Sequence, residues 1–303
     1  MNRIDACFQR LQGEGRTAFI PFLTAGDPDL QTTVALVEAC ARAGASIIEL
    51  GFPYSDPVAD GPTIQNSYSR TLSRGLRLDD VFGLVRLCRG RTDVPLAGMA
   101  SYSLVFRRGL TRFVGEAARS GLDGLILPDL PVEEAAPLGK ACGEAGLAAV
   151  FLVAPTTTEE RRRRIVEEAT GFIYCVSVVG ITGARDSLPE GLTRSLADLR
   201  RLTDKPLAVG FGISRPEQAA ALAPHVDGVI VGSAIVRLVG ERAGARPLRG
   251  RPAGASAPPT AAEPRGKQAQ SVRPSERSAM LAAVERYVAE MVQALDAVHK
   301  PRR

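Results

Sequence analysis

Eight short apolar runs recur along the chain, and between them the apolar residues fall at helical spacing. The runs cover residues 17–23, 46–50, 94–99, 123–127, 147–153, 172–178, 206–211 and 227–231. Helical patterns lie at 30–43, 78–89, 110–120, 133–145, 159–169, 191–202 and 216–223. Within the runs successive residues are apolar, as in Gly124-Leu125-Ile126-Leu127 and Gly228-Val229-Ile230-Val231. A strand wetted on one face alternates apolar with polar residues, whereas continuous apolarity means burial on both faces, as in a parallel sheet. Eight such strands alternating with helices predict an α/β chain of one domain, a (β/α)8 TIM barrel. A doubly wound open sheet is the other arrangement, but no G-x-G-x-x-G follows the first run.

The last helix of the barrel is displaced along the sequence. A short helix starts at Ser233, and residues 241–276 are then rich in Pro, Ala, Gly and Arg. Such a composition buries too little apolar surface to offset the entropy of ordering, so a disordered insertion is expected there. Helical periodicity returns in Met280, Val284, Tyr287, Met291, Leu295 and Val298, a stripe suited to closing the outer ring. The expected organisation is a barrel over 1–240, an insertion over 241–276, and a final helix with a basic tail over 277–303.

Composition removes several classes of function. With 45% hydrophobic residues the chain can bury a full core. No window approaches the ~20 apolar residues of a membrane span. The N-terminus has no secretory pattern, and a cytoplasmic location is the default expectation. The net charge of +5 is local: residues 240–303 hold 12 Lys/Arg against 6 Asp/Glu, leaving 26 against 27 elsewhere. The body therefore carries no electrostatic case for nucleic acid. Arg161 to Arg164 follow Glu159-Glu160 in an amphipathic pattern and read as a solvated helix face. Five dispersed cysteines, with no C-x-x-C, point to reduced thiols and to no metal site. The two histidines, His225 and His299, lack a nucleophile in a recognisable setting.

The chemistry concentrates in Glu49-Leu50-Gly51-Phe52-Pro53-Tyr54-Ser55-Asp56-Pro57-Val58-Ala59-Asp60-Gly61-Pro62. Glu49 closes a buried strand, where an ionised carboxylate is costly unless it is paired or catalytic. A loop stiffened by Pro53, Pro57 and Pro62 then presents Asp56 and Asp60, so an acid/base pair and a paired core acid with turn-forming aspartates are both open. In this fold the strand C-termini carry the active site. There the sequence offers Gly180-Ile181-Thr182-Gly183, Gly210-Phe211-Gly212 and Gly232-Ser233. Glycines at adjacent strand ends let backbone N–H groups approach an anion, and Gly232-Ser233 opens a helix whose N-terminus favours phosphate. Phe22, Ile126-Leu127-Pro128, Leu152-Val153, Tyr174 and Phe211 add apolar walls suited to a flat ligand.

These residues carry a resemblance. The acidic segment, continued through Thr63-Ile64-Gln65, is similar to the signature of the tryptophan synthase alpha chain family. Pro21-Phe22-Leu23-Thr24-Ala25-Gly26-Asp27-Pro28, Pro128-Asp129-Leu130-Pro131, Gly180-Ile181-Thr182-Gly183-Ala184-Arg185 and Gly210-Phe211-Gly212-Ile213 support it. The resemblance implies retro-aldol cleavage of indole-3-glycerol phosphate to indole and glyceraldehyde 3-phosphate. It also implies a beta-chain partner, in an alpha2-beta2 complex, that joins the indole to serine on pyridoxal phosphate. This chain itself would hold no cofactor. By position it implies Glu49 and Asp60 as catalytic acids, and Phe22 and Phe211 as indole walls. Tyr174 would stand near Glu49. Thr182, Gly183, Gly212, Gly232 and Ser233 would bind substrate at the phosphate end, and Asp56 would face the partner. The 241–276 insertion is not a feature of the family. Two rivals remain on the residues alone: another phosphate-binding barrel isomerase or epimerase, and a catalytically silent subunit that activates a partner enzyme.

Overall fold

The computed structural model of the chain describes residues 1–57, 60–177, 191–210, 212–244, 272–298 and 300. Eight parallel strands close into a barrel in sequence order, each bonded to the next and the last to the first. They are β1 (Ala18–Thr24), β2 (Ile48–Gly51), β3 (Leu96–Met99), β4 (Gly124–Ile126), β5 (Ala148–Val153), β6 (Ile173–Val176), β7 (Leu207–Gly210) and β8 (Gly228–Val231). Helix α1 (Arg3–Glu14) precedes the barrel, and α2 (Leu30–Arg42), α3 (Pro62–Ser73), α4 (Leu78–Arg89) and α5 (Tyr102–Arg108) follow β1 to β3. Next come α6 (Leu110–Ser120), α7 (Ala136–Ala145), α8 (Glu159–Glu168), α9 (Leu192–Arg200) and α10 (Pro216–Leu222). After β8 lie α11 (Ser233–Arg242) and α12 (Pro274–Asp296).

Two cores result from the two-residue period of a strand. Ile20, Phe22, Ile47, Ala97, Met99, Ile126, Val150, Tyr174, Ala208 and Ile230 fill the barrel. Phe19, Leu23, Ile48, Leu50, Leu125, Val209 and Val229 point outward and pack beneath the helices. Parity alone puts Glu49 inside, because Ile47 faces the interior and Ile48 and Leu50 do not. Helix α1 plugs the N-terminal end: Ile4, Phe8 and Leu11 are buried, and Phe8 meets Phe172 at 5.7 Å.

The alternation read from the sequence is the observed one, with each strand starting one or two residues later than expected and β1 and β2 also ending one residue later. Ile4, Phe8 and Leu11 stand at helical spacing over residues 2–12 and announce α1, whereas the sequence reading does not include α3 and α5. In α3 the buried face is Ile64, Ser67, Tyr68 and Thr71, half of it polar, so apolar periodicity does not announce it. Helix α5 spans only seven residues, with Val105 as its buried member. The final helix packs against α2, α10 and α11 through Met280, Val284, Val288, Met291 and Leu295. It starts at Pro274, three residues before the expected 277, and α11 runs to Arg242, past the expected 240. The expected insertion lies largely outside the described residues, which omit 245–271.

Candidate active site

A cavity opens at the C-terminal end of the barrel. Phe22, Glu49, Asp60, Ile64, Met99, Tyr174, Gly212, Ile213, Ile230, Gly232 and Ser233 line it. Seven residues singled out in the sequence therefore meet in one place, from β1, β2, β6, the loop after β2 and the turns after β7 and β8. Thr182, Gly183 and Phe211 lie outside the described residues. Asp56 stands apart: it is exposed and lines a separate outer groove with Tyr54, Leu78, Ser101, Pro128 and Asp129. Leu127, Leu152 and Val153 do not line the cavity, and Pro128 belongs to the groove.

Glu49 is held by the sheet beside Phe22 on one side and Ala97 on the other. Only 1% of it is exposed, and neither carboxylate oxygen has a hydrogen-bond partner among the described residues. Burial pushes its pKa up to about 8, and the charge of Asp60 adds to the rise. An unpartnered buried carboxylate favours the protonated form at neutral pH. Asp60 is raised to about 6, again by burial, with the Tyr54 hydroxyl opposing. At pH 7 the pair therefore holds one acid that is mostly protonated and one that is mostly ionised. Tyr174 and Tyr68 complete the ring of titratable groups, both driven up by burial.

Two glycines let the aromatic walls close in. A methyl on Gly51 would stand 2.3 Å from the Phe22 ring and 2.7 Å from the Tyr68 hydroxyl. One on Gly210 would stand 2.5 Å from the Tyr174 hydroxyl. The far edge of each ring thus lies close to a strand backbone that only glycine leaves bare. In the same cavity Gly232 precedes the first turn of α11, whose leading N–H groups have no intrahelical acceptor and whose dipole is positive there. The cavity thus brings together two carboxylates, apolar walls and a helix N-terminus fit for an anion.

Ile64, Met99, Ile213 and Ile230 also line the site and were not singled out in the sequence. Ile64 was hidden with α3. Met99 and Ile230 carry no signal apart from strand parity, which marks them as inward without distinguishing cavity from core. Among the described residues no helix is long and apolar enough to cross a membrane. All five cysteines are buried and unpaired.

Residues 8–249 match the family model described as tryptophan synthase alpha chain. The chain is 46% identical over 239 residues to the tryptophan synthase alpha chain of Thermoanaerobacter sp. (strain X514), covering 79% of this chain and 91% of that one. It superposes on tryptophan synthase subunit alpha from Legionella pneumophila with a TM-score of 0.80 at 32% identity, over 98% of this chain and 100% of that one. A chain of the tryptophan synthase complex from Pyrococcus furiosus gives 0.76 at 33% identity, over 92% and 99%.

Proposed function

The chain belongs to the tryptophan synthase alpha chain family, and from that membership and the geometry of the cavity we propose how its residues carry the reaction. It is a lyase that cleaves indole-3-glycerol phosphate to indole and glyceraldehyde 3-phosphate. The carbon joined to indole C3 bears a hydroxyl. Cleavage forms a C3–H bond, breaks the C3–carbon bond, and turns that hydroxyl into an aldehyde as its proton leaves. One proton must arrive at C3 and one must depart from the oxygen. Glu49 does both: protonated near pH 7, it donates to C3, and the carboxylate so formed takes the hydroxyl proton and is reset. Positive charge builds on the indole nitrogen meanwhile, and ionised Asp60 accepts the N–H and balances it.

Phe22 and Tyr174 flank the ring. Phe211, assigned by sequence position, is a further indole wall, and Gly212, Gly232 and Ser233 bind the phosphate at the N-terminus of α11, together with Thr182 and Gly183, also assigned by sequence position. This orientation leaves the indole at the carboxylates. A tryptophan synthase beta chain is the partner, in an alpha2-beta2 arrangement, with Asp56 in the surface it meets. Pyridoxal phosphate belongs to that partner and serves the joining of indole to serine; the residues of this chain act without a cofactor. The setting is the cytoplasm.

The observation that carries the reading is the isolation of Glu49, buried and unpartnered in the same cavity as Asp60. Indole release by the purified chain from indole-3-glycerol phosphate tests it. Glu49→Gln should lose on the order of a hundredfold or more in kcat. An undiminished rate in that variant would remove Glu49 from the chemistry. The wild-type profile should fall below about pH 6 as Asp60 protonates and above about pH 8 as Glu49 ionises. Stability carries the opposite mark. Glu49 ionises near 4.5 when unfolded and near 8 when folded, so the native state holds the extra proton and loses stability as pH rises between those values. At pH 8 Glu49→Gln should therefore melt above the wild type.

A further inference from the structure

Asp60 sits on a loop, whereas Glu49 sits on a strand, and a group that must meet a substrate atom needs its backbone fixed to within a fraction of an ångström. What fixes Asp60 comes from the next helix. The side-chain amide of Gln65 donates to the Asp60 carbonyl at 2.8 Å and to the Pro57 carbonyl at 3.1 Å. The Asp60 N–H itself donates to the Pro57 carbonyl at 3.0 Å. One carboxamide thus spans the loop and satisfies two of its carbonyls.

Gln65 is in turn held rigidly. It lies in the first turn of α3, its N–H bonded to the Gly61 carbonyl at 3.0 Å. Two residues later Ser67 and Thr24 share a hydroxyl hydrogen bond of 2.7 Å. Arg70 then grips Asp27 with two nitrogens at 3.1 and 2.6 Å, and the Asp27 side chain is 2% exposed. Thr24 ends β1, the strand that brings Phe22 to the cavity. Helix α3, bonded to the end of β1 through Ser67 and to the loop through Gln65, therefore ties the Asp60 backbone to the barrel wall.

We propose that Gln65 is the positioning residue of the acidic loop, stapling the Pro57 and Asp60 carbonyls so that the Asp60 carboxylate stays at the cavity. The inference rests on the role given to Asp60 above. Without the staple the loop gains conformers in which Asp60 is wetter. The titratable groups facing Asp60 are Glu49 from β2, Tyr54 from its own loop, Tyr68 from α3 and Tyr174 from β6. Burial is the largest influence on Asp60, and no cation among the described residues acts on it. Loosening the loop should therefore lower its pKa, back toward the ordinary carboxylate range.

The test uses the full chain, indole release from indole-3-glycerol phosphate across pH, and melting temperature. Gln65→Met keeps the length and removes both donors. It should lower kcat/KM roughly tenfold or more, mainly through kcat, and move the acid limb below pH 6. Gln65→Glu also removes the donors but adds a negative charge beside Asp60, and should move the acid limb the other way. Wild-type kcat/KM with an unmoved acid limb in both variants overturns the proposal. So does a loss of activity in both with the limb unmoved, which is what a purely structural residue would give. Asp60→Asn separates the two levels of inference. If it retains wild-type activity, the role of Asp60 fails; if it is inactive while Gln65→Met matches wild type, only the staple fails.

Discussion

The N-terminal ends of β3–β4 and β7–β8 are built alike, and their C-terminal ends are not. Asp123, just before β4, accepts from the Leu96 N–H at 2.8 Å and from Arg89, whose other nitrogen donates to the Thr92 and Val94 carbonyls. Asp227, just before β8, accepts from the Leu207 N–H at 2.9 Å and from Arg200, which donates to the Thr203 and Lys205 carbonyls. These bonds match half a barrel apart, and the corners differ at Nε, which in Arg89 donates to the Gly121 carbonyl and in Arg200 has no partner among the described residues. At the opposite ends the match dissolves. The turn after β4 carries Asp129, which accepts from the Ser101 hydroxyl at 2.7 Å and the Tyr102 N–H at 2.8 Å. The turn after β8 is Gly232-Ser233, which lines the cavity. One end of the barrel repeats a solution for stability, and the other departs from it where a ligand must fit.

Making the two C-terminal ends alike should have the largest effect. Ser233→Asp would place a carboxylate after β8, as Asp129 does after β4. A carboxylate is welcome at a helix N-terminus but repels a phosphate bound there. The KM for indole-3-glycerol phosphate should rise roughly a hundredfold while the melting temperature holds or climbs slightly. An unchanged KM would place the phosphate elsewhere. Breaking the N-terminal ends should do the reverse. The Asp123 side chain is 4% exposed and also meets Arg3 at 3.0 Å, whereas that of Asp227 is 28% exposed. Removing Asp123, whose carboxylate is buried, leaves half-buried Arg89 without its ion-pair partner, so Asp123→Ala should cost about 3 kcal/mol, and Asp227→Ala about 1 kcal/mol. Denaturant unfolding would measure both, with kcat preserved below the melting transition. Equal losses would mean that burial does not distinguish the two corners.

Much of this contrast stands in the sequence. Thr92-Asp93-Val94-Pro95-Leu96-Ala97 parallels Thr203-Asp204-Lys205-Pro206-Leu207-Ala208, and Asp123-Gly124-Leu125-Ile126 parallels Asp227-Gly228-Val229-Ile230. The strands were legible because burial on both faces leaves continuous apolar runs. Glu49 was legible because a carboxylate in such a run contradicts its surroundings. The repeat escaped because its working parts, an aspartate before a strand and an arginine ending a helix, look like ordinary surface charge until hydrogen bonds join them. The role of Gln65 is hidden in the sequence for the same reason: its partners are backbone carbonyls, which every residue possesses. Helix α3 was missed because Ser67 and Thr71 turn inward to bond Ile64 and Tyr68 carbonyls, so polarity masks a buried face.

The smallest expected effect concerns Asp129 itself. Its carboxylate bonds the N-cap serine of α5 and the first N–H of that helix, so it substitutes internally for a ligand at a helix too short to be stable alone. Asn in its place keeps one acceptor oxygen but loses the charge and the second acceptor. Asp129→Asn should therefore cost about 1 kcal/mol and raise hydrogen exchange at the Tyr102 amide, with the protection of β4 intact. Because Asp129 lines the outer groove and not the cavity, the KM for indole-3-glycerol phosphate should stay within about twofold. A large KM change would show that the turn after β4 reaches the substrate, and that the two C-terminal ends share a ligand-binding task that their different residues conceal.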